Sequence, residues 1–314
     1  MLVTGATGFV GRAVCAALAR AGYQVTAAVR TSGAVVADAA ATRVVGEIGA
    51  DTRWEPALAG VDAVVHLAGR AHQLRDRSGD PLAAFRAVNA AGTAALARQA
   101  AAAGVRRLVF VSSIGVHGDR AEHPITEATP IAPHTPYAAS KAEAEAAVWD
   151  VARATGLEAV VVRPTLVYGP GAPGNIALLL RALARGVPLP LAHVRNHRTL
   201  LDREALAQLL VLTATHPAAA GQTFVAGDAT DVSTPDLIRA LAEGIGRPAR
   251  LLPLPVAPLA ALARAVGREA TWRQLAGSLR VSSAHAATRL GWVPARDVHS
   301  ALAAVGRHFR AHQT

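Results

Sequence analysis

The stretch from Val3 to Gly11, VTGATGFVG, constrains this chain more than any other of its length. An apolar run over 1–4 leads into glycines at 5, 8 and 11, and an alanine- and leucine-rich helical pattern over 10–21 follows, closed by Gly22. Glycines at a strand-to-helix turn let backbone N–H groups approach an anion at the helix's positive end. Such a triad reads either as a plain tight turn or as a cradle for the pyrophosphate of a dinucleotide. The rest of the first half favours the cradle. Short β-branched runs at 23–29, 62–68, 107–113 and 158–164 alternate with helical segments at 81–103 and 137–155, which end at Gly104 and Gly156. That alternation implies parallel strands joined by helices.

The expected fold is therefore α/β, a Rossmann-type doubly wound parallel sheet with a smaller C-terminal lobe. With 52% hydrophobic and only 4% aromatic residues, the core is built from Val, Leu, Ala and Ile, as helix-on-sheet packing requires. After Pro164 the loops VYGPGAPG and GVPLPLAH break the pattern. Residues 1–166 are expected to bind a dinucleotide, with return segments near 198–228, and 167–314 mainly to bind substrate. QTFVAGD at 222 reads as a strand returning to the sheet, and Ser233 or Thr234 with Pro235 and Asp236 as a helix start.

A net charge of +10 invites a nucleic-acid reading, but the arginines are scattered and lack interleaved aromatics. No nucleic-acid partner is expected. Cys15 is the single cysteine, which excludes an internal disulfide and a cysteine metal cluster, and none of the scattered histidines has metal-ligand spacing. The most apolar tract, LLPLPVAPLAALARAV from 251, is broken by three prolines and Arg264, so no membrane span is expected. A cytoplasmic location follows. The short first strand suggests a true start a few codons upstream.

Lys141 is the only lysine, the other 31 of the 32 basic residues being arginine. It stands four residues after Tyr137, one of three tyrosines, so the two share a helix face. The plain reading is a surface pair. The chemical one is an acid/base pair, in which an ammonium lowers the pKa of a phenol ordinarily near 10. Glu143 and Glu145, two apart, do not share a face and read as solvated.

The spacing G-x-x-G-x-x-G together with YAASK at 137 resembles the short-chain dehydrogenase/reductase family. VSSIGVHG at 111, RPTLVYGPG at 163 and RLGWVP at 289 resemble its extended branch of nucleotide-sugar epimerases, dehydratases and reductases. The resemblance implies a catalytic group of Ser113, Tyr137 and Lys141, with Ser112 as the neighbouring alternative to Ser113. It implies a cofactor wall of Gly5, Gly8, Phe9, Val10, Gly11, Arg30, Glu47, Ile48, Leu67, Ala68, Gly69, Tyr137, Lys141 and Pro164. Substrate contacts fall to Ser113, Asn175, Arg198 and Arg280. Glu47 stands where an aspartate is common, His117 where a tyrosine is, and Asp202 and Glu204 replace an aromatic and an aspartate.

Val29 and Arg30 end the second strand where NAD-using relatives carry an acid, and an arginine suits a ribose 2′-phosphate, which favours NADP over NAD. The activity implied is hydride transfer at C4 of a UDP-hexose or UDP-4-keto-6-deoxyhexosamine, with a 4-keto reductase favoured. The alternatives are a UDP-sugar 4-epimerase with bound NAD, a carbonyl reductase of a small ketone, and a cofactor-sensing regulator without turnover. A 4,6-dehydratase fits less well, because Ile114 follows Ser113 and an Asp-Glu pair is missing. The partner expected is a nucleotide sugar, and the resemblance allows a homodimer in polysaccharide biosynthesis.

Overall fold

The first strand, β1 (Leu2–Thr4), is wholly buried and pairs in parallel with Thr26–Ala28 on one side and Val64–His66 on the other. In this computed structural model, which describes residues 1–71, 79–119, 121, 123–294 and 297–312, the chain continues through α1 (Phe9–Arg20), β2 (Thr26–Val29), β3 (Ala41–Val44), α2 (Glu55–Leu58) and β4 (Ala63–His66). Next come α3 (Pro81–Phe85), a π-helical turn (Arg86–Ala91), α4 (Gly92–Ala102), β5 (Arg107–Val111), α5 (Pro136–Thr155) and β6 (Glu158–Pro164). The remainder comprises β7 (Leu166–Tyr168), α6 (Asn175–Ala184), β8 (Leu200–Asp202), α7 (Arg203–Thr215), β9 (Thr223–Ala226), α8 (Thr234–Ile245), α9 (Val256–Ala265), α10 (Glu269–Ala276), α11 (Ala284–Leu290) and α12 (Val298–Ala311).

Seven strands form one sheet in the order β3-β2-β1-β4-β5-β6-β9, every pair parallel. The order reverses between β1 and β4, the position where ligands bind in doubly wound sheets. On one face Val14 and Leu18 of α1 and Leu206 and Leu210 of α7 pack on Val3, Val65 and Val109. On the other, Leu96 and Ala100 of α4 and Ala144 and Val148 of α5 cover Val64, Leu108, Phe110 and Val161. Each buried Val, Leu or Phe contributes about 2 kcal/mol, so both faces must be covered for so apolar a sheet to hold. A third cluster gathers Ile176, Leu180, Ile238, Leu241, Leu302 and Val305 of α6, α8 and α12 around Tyr168 and Leu200 of the separate β7–β8 pair.

The differences from the sequence reading have local causes. The strand expected from 23 begins at Thr26, since Tyr23 is exposed and the Gln24 carbonyl instead accepts from the Met1 amino group at 2.7 Å. β3 was not foreseen: Thr42, Arg43 and Val44 are all exposed on this edge strand, so no buried-face alternation marks it. The helix expected over 81–103 is interrupted by the π-helical turn, and β9 returns beside β6 as the run at 222 suggests.

Candidate active site

The glycine loop crosses the sheet where the strand order reverses. Gly5 has φ +67°, and a Cβ there would lie 2.8 Å from the Ala68 nitrogen. A Cβ on Gly11 would lie 2.1 Å from the Gly5 carbonyl oxygen, so neither position admits a side chain. Gly8 caps α1 with no side chain bonded to the first turn, and its N–H donates to the Gly5 carbonyl at 2.9 Å. Phe9 and Val10, half-buried, open the helix. The Ala68 N–H donates to Thr4 Oγ1 at 3.1 Å, which draws Leu67, Ala68 and Gly69 against the loop. A bare helix start beside a close-approaching backbone fits a dinucleotide's pyrophosphate.

At the outer edge, Arg30 and Glu47 form an ion pair at 3.4 Å, both side chains strongly exposed. Ile48 packs on Gly92, where a Cβ would meet its Cγ2 at 2.5 Å. The sequence reading gave Arg30 an isolated role because no acid follows β2. The fold supplies one from seventeen residues on.

The start of α5 and the end of β5 bring the reactive groups together. Thr135 Oγ1 accepts from the Ala138 N–H at 3.1 Å and Pro136 opens α5, so Tyr137 lies in its first turn and Lys141 one turn on. Ser113, just past β5, is extended, and its Oγ accepts from the Gly115 N–H at 3.1 Å. Burial raises the Tyr137 phenol pKa, and a hydrogen-bonding pull from the Ser113 hydroxyl opposes the rise. The lowering expected from Lys141 is not among the causes. Its ammonium instead sits 4.1 Å from the centre of the Phe110 ring, and burial pulls its pKa down to about 7 against the raising pull of Glu145.

Behind Phe110, His66 stacks at 5.8 Å and spans Thr4 Oγ1 at 2.6 Å and Thr93 Oγ1 at 3.0 Å. Burial, with the charge of Lys141, lowers its pKa to about 3, so it stays neutral. Thr4, His66, Phe110 and Lys141 thus form one buried line from the glycine loop to α5.

Lys141 carries a consequence for stability. A lysine whose folded pKa is lowered from 10.5 to about 7 destabilises the fold fully below pH 7, and the cost fades as pH rises to 10.5. Lys141→Met should accordingly raise the cofactor-free melting temperature at pH 7 by several degrees and flatten its rise over that window, while abolishing turnover. A variant melting below wild type at pH 7 contradicts this.

Two groups escaped the sequence reading. Asn89, in the π-helical turn and 1% exposed, accepts from the Arg70 N–H at 2.8 Å and donates to the Arg70 carbonyl and Ser140 Oγ at 3.1 and 3.0 Å. Ser140 in turn donates to the Tyr137 carbonyl at 2.7 Å, so Asn89 fastens the loop after Gly69 to the catalytic helix. The π turn was the signal, and nothing in AVNAAG announces it.

Glu145 is not solvated. It is 4% exposed and grips Arg163 of β6 through contacts of 2.6, 3.1 and 3.2 Å. Arg163 Nη1 also donates to His117 Nε2 at 3.1 Å, and His117 Nδ1 donates to the Pro130 carbonyl at 3.1 Å. Only Glu143 faces outward, on Arg86 at 2.6 Å. Tyr137, Lys141 and Glu145 recur every four residues, so the face that turns the lysine inward turns Glu145 inward with it.

Ser112 Oγ and Thr165 Oγ1, past the ends of β5 and β6, are buried without a hydrogen-bond partner. Pro164, also buried, closes β6 immediately before Thr165.

Of the substrate candidates other than Ser113, Asn175 and Arg198 meet the segment 274–280, to which Arg280 itself belongs. Asn175, first residue of α6, donates to Gln274 Oε1 at 3.2 Å. Arg198 donates to the Gly277 carbonyl at 2.9 Å and is largely buried, while Arg280 is held by Asp231 at 2.6 Å. Asp202 caps α7 by accepting from the Glu204 and Ala205 N–H groups, and Glu204 pairs with Arg203, so both residues have structural roles here. Among the described residues, no three His, Cys, Asp or Glu side chains gather to hold a metal ion.

Comparison with known proteins identifies the family. The chain is 37% identical over 313 residues to a UDP-glucose 4-epimerase of Vibrio cholerae, covering 98% of this chain and 95% of that one. It is 30% identical over 258 residues to a 2-alkyl-3-oxoalkanoate reductase of Stenotrophomonas maltophilia, covering 79% and 76%. The structure of DesIV, a dTDP-glucose 4,6-dehydratase of Streptomyces venezuelae with NAD and TYD bound, matches with a TM-score of 0.78 at 26% identity, over 99% of this chain and 97% of that one. The model of the NAD dependent epimerase/dehydratase family matches residues 1–227. The chain belongs to that family of enzymes.

Proposed function

We propose that this enzyme interconverts C4 epimers of a UDP-hexose or UDP-hexosamine, with NAD retained at the glycine loop. The observation that carries the reading is the Tyr137 phenol under the pull of the Ser113 hydroxyl, one helical turn from a buried lysine. Residues 1–166, with the segment 198–228, would hold the dinucleotide: Gly5, Gly8, Phe9, Val10 and Gly11 its pyrophosphate, Leu67, Ala68, Gly69, Lys141 and Pro164 its nicotinamide half. Glu47 and Ile48 would stand at the adenosine end. Residues 167–314 would mainly hold the sugar nucleotide, Asn175, Arg198 and Arg280 meeting its diphosphate side.

Bound NAD supplies a hydride acceptor that returns what it takes. Tyr137, as phenolate, would remove the proton of the C4 hydroxyl and later give it back, while Ser113 would hold the same oxygen. The Lys141 ammonium would favour the phenolate against the burial that raises its pKa.

The Arg30–Glu47 pair supports NAD rather than NADP. A carboxylate 3.4 Å from the guanidinium offsets its attraction for a 2′-phosphate, and Glu47 can accept from ribose hydroxyls. The 4-keto reductase favoured by an isolated Arg30 loses that support. The whole-length likeness to the Vibrio enzyme points to epimerisation, whereas the Stenotrophomonas relative supports reduction of a ketone as the second reading. A panel of UDP-sugars and their 4-keto derivatives separates the two. The expected result is isomerisation of a UDP-sugar without net cofactor consumption. Stoichiometric NADPH oxidation on a ketone, with no isomerisation, would favour the reductase.

A further inference from the structure

The most apolar stretch of the sequence, 251–266, forms the least buried part of the fold. Neither α9 nor α10 contains a buried residue, and Leu252, Leu254, Leu262 and Val266 are 42, 42, 60 and 61% exposed. Leu262 and Val266, four apart, share one face. Helices α8 and α12, by contrast, sink their apolar stripes into the third cluster. A helix this apolar with nothing covering it marks an interaction surface.

The surrounding charge indicates what covers it. Between residues 247 and 280 there are six arginines and a single acid, Glu269. Arg264 reaches Glu269 only at 4.0 Å, and among the described residues Arg268 makes no ion pair. A second copy of the chain would set two such basic rims against each other. An anionic lipid surface accepts both the leucines and the arginines.

We propose that the α9–α10 hairpin docks on anionic bilayers, with Leu262 and Val266 at the acyl boundary and Arg264 and Arg268 among the headgroups. No helix among the described residues is long and apolar enough to cross a membrane, so the contact is interfacial. It is also close to the candidate substrate side. Gln274 of α10 accepts from Asn175, and Arg273 pairs with Asp119, two residues past His117, at 3.5 Å.

The test is co-sedimentation of the full chain with vesicles of phosphatidylcholine alone or mixed with phosphatidylglycerol. Wild type should pellet only with the anionic vesicles, and less so in high salt. Leu262→Asp with Val266→Asp should lower the partition constant by about tenfold or more. Arg264→Gln and Arg268→Gln should lower it by about fivefold each. Failure of wild type to pellet overturns the proposal. So does equal binding by the aspartate variant, which would mean adsorption through net charge alone. A wild-type dimer in sedimentation velocity that the aspartate variant dissociates would assign the face to a second copy and also overturn it.

Discussion

Tyr137→Phe should cut turnover by about a hundred- to ten-thousandfold while leaving melting temperature and NAD binding unchanged. Only the hydroxyl is lost. The ring keeps its edge-on contact with Phe85 at 5.9 Å, and Ser113 Oγ still accepts from the Gly115 N–H, so Ser113 keeps a partner after the change. A structural tyrosine would show the opposite pattern, with little change in rate and a lower melting temperature. Steady-state kinetics beside a melting curve distinguishes the two, and near-wild-type turnover would remove Tyr137 from the chemistry.

Glu145→Ala should lower stability by about 3–5 kcal/mol, because it leaves Arg163 charged, 9% exposed and without its carboxylate. Loss of stability alone would show only a structural role. The informative variant replaces both partners, Glu145→Leu with Arg163→Met, since apolar substitutes of similar volume often recover the stability of a buried pair. Glu145 raises the Lys141 pKa, so the double variant should fold yet hold the lysine below about 7. If the ammonium is the active form, the basic limb of the pH–rate profile moves to lower pH, with activity surviving at pH 6 and failing at pH 8. An unshifted profile in a folded double variant would confine Glu145 to packing.

What the sequence disclosed was local. The glycine triad at the strand-to-helix turn and the closing Gly156 both act within a few residues, and each stands in the fold where its spacing put it. The Glu145–Arg163–His117 cluster joins residues 18 and 46 apart on different elements, and no spacing announces it. A stricter use of the four-residue period would have brought Glu145 inward with Lys141. The Arg30–Glu47 pair is another meeting across elements, and it gives Arg30 a carboxylate partner that the end of β2 does not supply. Asn89 acts only because a π turn aims it at both Arg70 and Ser140.

The most direct measurement uses a UDP-sugar carrying deuterium at C4, incubated with the enzyme and followed by NMR. The account predicts that deuterium stays at C4 of both epimers, with a slowed rate and no label on free cofactor. Retention would mean that hydride leaves and returns within one site while Tyr137 handles the proton. Deuterium exchanged for solvent hydrogen, or epimerisation at an unaltered rate without any C4 isotope effect in single-turnover measurements, would contradict it.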